Sequence, residues 1–371
     1  MTKMIIDSDA HLSEHPAIWE YLDNEYADRK PQAINIGSHS KHYPNRTHVW
    51  LIDGELAPKL DGRASFAMST PPMGYEKSKG ISLESQALTD VQERLKSMDM
   101  LGIDVAVVYT TLFLHPLTED VMYEAALIRA FNDFMADVCK NSDGRIKWVA
   151  PVPMRNPLEA VKEVKRVKEL GAVGIMVLGS VGDTLLHDRS FDPIYAEAEQ
   201  LSLPICVHIG WAHSSLHQSS DSPATSFILP FELSTVMGLY SFLGGGILDR
   251  FPRLKVGFIE GGSIWYSTLV KRMEFWYSTP SAKSWISKKS PTAYLKEHDI
   301  YFTCEGDKQE LQSLLEIVSD DRLMGFTDFP HTHFKDGKLA TPFDNIKEST
   351  EICESLKEKL LWKNAKNFYN L

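Results

Sequence analysis

Cysteine is scarce in this chain: Cys139, Cys206, Cys304 and Cys353 stand far apart among 371 residues. That spacing excludes a zinc knuckle, a Cys-X-X-Cys redox loop and a disulfide framework. The four thiols read as reduced, mostly buried small hydrophobes of a cytoplasmic enzyme. Positive charge is also in deficit. Lys and Arg number 39 against 50 Asp and Glu, a formal net charge of -11, which argues against a nonspecific nucleic-acid binder. No apolar run reaches membrane-spanning length, and the start lacks the long apolar segment of a secretory signal, so no membrane crossing is expected. No Gly-rich dinucleotide loop follows the first predicted strand, and no phosphate loop is present. Gly244-Gly245-Gly246 reads as a helix break, and Lys288-Lys289 as solvated charge.

What is present is enough apolar material for a large core, 43% of residues, arranged in a repeating order. Strands are predicted to begin near residues 4, 104, 146, 172, 203, 254, 300 and 323. Helical periodicity separates them over about 84–101, 120–140, 157–170, 190–201, from near 227, 264–277 and 309–319, with a last helix over 343–368 that carries a break. Eight strands alternating with helices predict an α/β fold, a distorted TIM (β/α)8 barrel forming one domain over 1–371. Residues 12–83 are too long for an ordinary connection and too aromatic to be assumed disordered. They are expected to form an inserted cap of short helices or strands after strand one, on the face where such barrels hold their sites.

The chemistry-bearing residues stand at strand ends. Asp9 and His11 are two apart and share one side of a strand, because strand side chains repeat every two residues. His208 ends the fifth strand, Glu260 the sixth and Asp328 the eighth. Barrel closure brings such ends around one cavity, and mixed carboxylate and imidazole ligation suits Zn, Fe or Mn. Glu260 has three open readings: metal ligand, proton acceptor for metal-bound water, or support for a neighbouring group. His213 is a candidate proton relay or second-metal ligand, His331 a candidate to orient Asp328 or line the site, and His333 and His217 are weaker candidates. Trp211 and Trp265 lie just past strand ends and are candidate substrate contacts; the alternative for each is packing. In the insertion, Arg46, Arg63, His39, His42 and His48 are within reach of a substrate only if that segment folds over the mouth, and each is otherwise a surface group.

Asp9-Ala10-His11, Val207-His208-Ile209-Gly210, Phe251-Pro252-Arg253-Leu254-Lys255-Val256 with Glu260-Gly261-Gly262, and Phe326-Thr327-Asp328-Phe329-Pro330-His331 together resemble the amidohydrolase-related family, in the branch of aminocarboxymuconate-semialdehyde decarboxylase-like enzymes. The resemblance covers nearly the whole chain apart from much of 12–83. It implies a metal-bearing barrel that catalyses hydrolysis or nonoxidative decarboxylation of a small organic carboxylate or carbonyl compound, with Asp9, His11, His208 and Asp328 at the metal-site positions. Zinc is the expected ion for those reactions, and a homodimer the expected assembly, with a heteromer as the alternative. The chain departs from the pattern at Glu260, where family decarboxylases commonly carry His. Extra histidines with Glu260 also fit a dinuclear Fe or Mn/Fe oxygenase, and a noncatalytic partner or scaffold subunit is a third reading.

Overall fold

Short runs of β-branched and aromatic residues, each followed by a polar turn, become parallel strands once helices cover their outer faces. The computed structural model describes residues 4–37, 47–57, 70–72, 81–331, 334–335, 338–339 and 341–371. Eight such strands form one sheet: β1 (Ile6–His11), β2 (Val105–Tyr109), β3 (Ile146–Pro151), β4 (Gly174–Leu178), β5 (Ile205–His208), β6 (Val256–Ile259), β7 (Ile300–Cys304) and β8 (Leu323–Gly325). They pair in chain order, all parallel. This is a distorted (β/α)8 barrel, with strand starts within two residues of those read from the sequence.

Closure is incomplete, because β1 and β8 share no strand ladder among the described residues. Other groups join the seam. Ser8 Oγ donates to Gly325 O at 2.6 Å, and Asp7 accepts the N–H of Thr327 at 2.9 Å together with its hydroxyl. Just past β8, Asp328 N–H donates to Asp9 O at 2.9 Å and His11 N–H to Phe329 O at 2.6 Å. β1 also carries an extra residue against β2 between Asp7 and Ala10, a bulge of the kind that re-aims side chains beside a site.

The intervening helices α1 (Val91–Leu101), α2 (Val121–Lys140), α3 (Pro157–Leu170), α4 (Asp192–Gln200), α5 (Leu233–Gly244), α6 (Ser263–Tyr277) and α7 (Lys308–Leu315) follow the expected order. Asp90, Asp120, Asn156 and Asp307 cap four of them by accepting first-turn N–H groups. α2 buries Leu127, Phe131 and Met135, each worth about 1.5–3 kcal/mol of hydrophobic stabilisation. The predicted helix over 84–101 is split, because Leu88 takes a left-handed conformation (φ 55°) that ends Leu83–Ala87 before Asp90 starts α1. The C-terminal helix is broken between Glu348 and Glu354 and ends in α8 (Asn364–Tyr369).

The apolar helix near 227 differs from expectation in two ways. Phe227–Glu232 is a π turn containing Pro230, whose missing N–H disrupts the regular ladder. In addition, Ala224–Gly244 is long and apolar enough to cross a membrane by length and composition, which the sequence reading did not find. Its most apolar stretch is 56% buried, and α5 packs on β4, β5 and β6. At Gly179 the backbones meet so closely that a Cβ would overlap the Ser234 carbonyl.

The described part of the 12–83 insertion holds two 3-10 helices, Pro16–Tyr21 and Asn24–Arg29, and a three-stranded antiparallel sheet of Gln32–Asn35, His48–Ile52 and Glu55–Ala57. Trp19 and Trp50 are buried edge to face, 5.9 Å apart. The Arg29 guanidinium lies 4.0 Å over Tyr123 and pairs with Asp53 and Asp120. The insertion is thus docked on the first turns of α2. Arg46, Arg63, His39 and His42 lie outside the described residues. All four cysteines are unpaired.

Candidate metal centre

Asp9, His11, His208 and Glu260 each direct one ligand-type atom to a common point, all within 4.8 Å of one another. His11 Nε2 is 3.4 Å from Asp9 Oδ1 and 3.7 Å from Glu260 Oε2. His208 Nε2 is 3.5 Å from each of the same two oxygens. Asp328 Oδ1 stands 3.6 Å from His11 Nε2, and His11, Asp328 and His331 form a second group that shares His11.

The backbone fixes which nitrogens face inward. His11 Nδ1 is 3.0 Å from Thr110 O, and His208 Nδ1 is 3.0 Å from Ile209 O. A carbonyl accepts only a proton, so each Nδ1 carries one and Nε2 is left as the atom that can bind a cation. Glu260 and Asp328 both lie in the left-handed region, at φ 61° and 56°. Strain of this kind in residues with a Cβ concentrates at functional positions. Glu260 is held by its N–H to Thr303 Oγ1 at 2.8 Å.

Charge and satisfaction both call for a cation. Asp9 Oδ1 and Oδ2, His11 Nε2 and His208 Nε2 are buried and have no hydrogen-bond partner among the described residues, an arrangement that is costly unless another group completes it. Ligands at about 2.0–2.2 Å from a tetrahedral ion lie roughly 3.3–3.6 Å from each other, close to the spacings seen. Without an ion, burial works against an ionised Asp9, but His208 and His11 outweigh it and hold its carboxyl far below the usual range. Burial likewise disfavours a charged His11, yet the carboxylates of Asp9 and Glu260, 3.4 and 3.7 Å from its Nε2, raise its imidazole well above the ordinary value. Glu260 is raised chiefly by burial. The residues form a divalent metal site.

Around it lie groups that the sequence reading missed. Arg94, fully buried on α1, donates to His11 O at 2.9 Å and Ser85 O at 3.3 Å, and stacks 4.3 Å from the Phe329 ring. Glu14 accepts the Thr110 hydroxyl and the Thr111 and Leu112 N–H groups, fixing the exit of β2. Neither residue sits in a recognisable motif; for Arg94, a cation in the interior stripe of α1 was the one available signal. Tyr369 on α8 donates to Ser8 O at 2.8 Å and meets Tyr109 at 2.7 Å beneath the ligands.

Beside the ligands, on the side of Glu260 and Asp328, is a cavity of about 400 Å³. His331 stacks 4.6 Å from His11, with Nδ1 2.8 Å from Asp328 Oδ1 and Nε2 3.1 Å from Thr111 Oγ1. His213 is turned away: its Nδ1 is 3.2 Å from Asp183 and accepts from Leu216 N–H, capping Ser214–Gln218. Trp211 is buried against Phe231, ring centroids 3.9 Å apart, with Nε1 donating to Ser226, and it does not line the cavity. Trp265 is exposed, beside Gly262 at the cavity rim. His333 lies outside the described residues.

The amidohydrolase family model matches residues 46–371. The chain belongs to the amidohydrolase family. This amidohydrolase is 24% identical over 287 residues to a 2-amino-3-carboxymuconate-6-semialdehyde decarboxylase of Dictyostelium discoideum, spanning 76% of this chain and 77% of the relative. It is 26% identical over 299 residues to a gamma-resorcylate decarboxylase of Polaromonas sp., spanning 76% and 89%. Its fold superposes with a TM-score of 0.71, at 19% identity and over 100% and 97% of the two chains, on a 5-carboxyvanillate decarboxylase from Novosphingobium aromaticivorans solved with bound manganese.

Proposed function

We propose that this amidohydrolase is a nonoxidative decarboxylase of a small, ring-bearing carboxylate. The observation that carries the reading is the convergence of buried, unpartnered ligand atoms of Asp9, His11 and His208 with Glu260 beside a cavity that Asp328 also lines. The two relatives named as decarboxylases support the reaction type. In this reading Asp9, His11, His208 and Glu260 hold the ion and Asp328 is the acid. His331 positions Asp328. A bound divalent ion would supply Lewis acidity toward the substrate's oxygens.

The reaction breaks the bond between the carboxyl carbon and its neighbour. The electron pair stays on the neighbouring carbon, carbon dioxide departs, and the Asp328 proton is transferred to that carbon. Water then reprotonates Asp328. Manganese is the proposed ion, on the strength of the manganese-bound 5-carboxyvanillate decarboxylase; zinc is the alternative that the same donor set accepts. One ion per chain is favoured over a dinuclear oxygenase centre, because both candidate ligand groups depend on His11 and its Nδ1 is committed to Thr110 O. A homodimer is proposed from the exposed Trp265, Phe275 and Trp276 on α6, to be checked by light scattering.

The test is manganese-loaded protein with 2,6-dihydroxybenzoate, following carbon dioxide release and oxygen uptake. Release without oxygen uptake is expected. Oxygen consumption with two metals per chain, or no turnover of any carboxylate, overturns the reading.

A further inference from the structure

The cavity beside the ligands is acidic to an extent that the proposed reaction does not require. Beyond Glu260 and Asp328 it is lined by Glu232, Glu305 and Glu310, and no Lys, Arg or His lines it among the described residues. Its volume, about 400 Å³, is in the range of small-molecule sites. An acidic cluster is commonly just a solvated surface, but this one is walled by Glu260 and Asp328, whose carboxylates stand 3.7 and 3.6 Å from the buried, unpartnered Nε2 of His11.

The carboxylates are placed rather than loosely arrayed. Glu232 closes the π turn Phe227–Glu232, which offsets it from the register of α5. Its backbone carbonyl accepts the Thr235 hydroxyl at 3.3 Å, while its carboxylate accepts no hydrogen bond among the described residues and places Oε2 within 3.3 Å of where a Cβ on Gly262 would stand. Glu310 is held by the N–H groups of Glu305 and Gly306, at 2.8 and 3.2 Å. A reacting carboxylate at the ion has its charge offset there. A second carboxylate, reaching outward, meets three further negative groups in a partly enclosed space where like charges repel more strongly than in water.

We infer that this cavity makes the enzyme selective for monocarboxylates whose remote end carries a hydrogen-bond donor or a positive charge, and that Glu232 is a specificity-determining residue excluding dicarboxylates. The inference rests on the decarboxylase reading, with the reacting carboxylate at the metal point. Burial, and then the charge of Glu260, raise the Glu232 carboxyl to about 7, so the ionised cavity is best examined at roughly pH 8.

The experiment is calorimetric binding of benzoate, 4-(aminomethyl)benzoate and terephthalate to the full-length, manganese-loaded chain, with manganese content measured in parallel. Terephthalate is expected to bind about 10-fold or more weaker than 4-(aminomethyl)benzoate. Glu232→Gln is expected to narrow that ratio several-fold, and Glu305→Gln, at an exposed position, to narrow it further in the double variant. Equal binding of the two para-substituted probes, or an unchanged ratio in both variants at full manganese content, overturns the inference and leaves the decarboxylase reading standing. If none of the three probes binds manganese-loaded protein, the metal-bound carboxylate reading fails and the inference fails with it.

Discussion

Asp328 and His331 share a proton at 2.8 Å, Oδ1 to Nδ1. The Thr111 hydroxyl donates to Leu12 O at 2.7 Å and so accepts from His331 Nε2, 3.1 Å away. Burial, and then the charge of His11, push the His331 imidazole down to about 3, so the ring is neutral. A neutral ring that donates through Nε2 offers a lone pair at Nδ1, which places the shared proton on Asp328. His331→Asn is therefore expected to lower kcat by about 10²–10⁴-fold with manganese content retained. Loss of the metal in that variant would instead make His331 a ligand.

The ligand assignment is testable by composition alone. His208→Ala and Asp9→Asn each remove a buried donor, and metal analysis of the purified variants is expected to show less than about a tenth of the wild-type ion content. Retention of a full equivalent in either variant would contradict the assignment.

Metal uptake should release protons. Burial opposes a charged His11 in the free protein, but the nearby carboxylates of Asp9 and Glu260 outweigh it and keep the ring protonated, whereas a ligating imidazole must be neutral. Affinity is expected to rise with pH by up to about 10-fold per unit, and calorimetry in buffers of different ionisation enthalpy reports the proton count directly. A pH-independent affinity would oppose a His11 ligand.

Arg94 acts on the site from behind. Its contacts with His11 O and the Phe329 ring tie the ligand-bearing end of β1 and the segment that carries Asp328 to α1. Arg94→Met is expected to weaken manganese binding about 10–100-fold, as loss of outer-shell support typically does. Competition with a chelator measures it, alongside the melting temperature of the metal-free protein. If the metal-free protein loses stability while affinity is unchanged, Arg94 is a packing residue only.

His115 gives a stability test outside the site. Burial, and then the charge of His217, lower its imidazole from 6.5 to about 4, while Nδ1 contacts Pro116 O at 3.1 Å. Between those values the unfolded chain takes up a proton that the folded chain refuses. The stability contribution is therefore present above the unfolded value and is lost as pH falls toward the folded one. Denaturant titrations from neutral to acid pH are expected to lose stability less steeply in His115→Phe, by at most about 1.4 kcal/mol per pH unit.

The barrel was legible because its strands are short apolar runs at regular intervals, and Asp9, His11, His208, Glu260 and Asp328 stand where those runs stop. The arrangement around them was not. Trp211 follows a strand end as a substrate contact would, but Phe227 and Phe231 come round on the π turn and cover it. His213 caps Ser214–Gln218 through Nδ1 beside Asp183 of the neighbouring loop, a contact between residues 30 apart that no local pattern announces. Glu232 is in an apolar helical run whose register the sequence does not show to be broken, because π geometry depends on how Pro230 and its neighbours pack.

The unladdered seam between β1 and β8 has a consequence for folding. Asp9 and His11 sit on the β1 edge of it, and His208 and Glu260 at the ends of β5 and β6, so a cation held among them acts as a clasp between that edge and the far wall of the sheet. Loading the ion and closing the cylinder then become one coupled equilibrium. Amide protons along the seam would slow their exchange on metal addition, while those between β3 and β4, where a ladder already holds the strands, would change little.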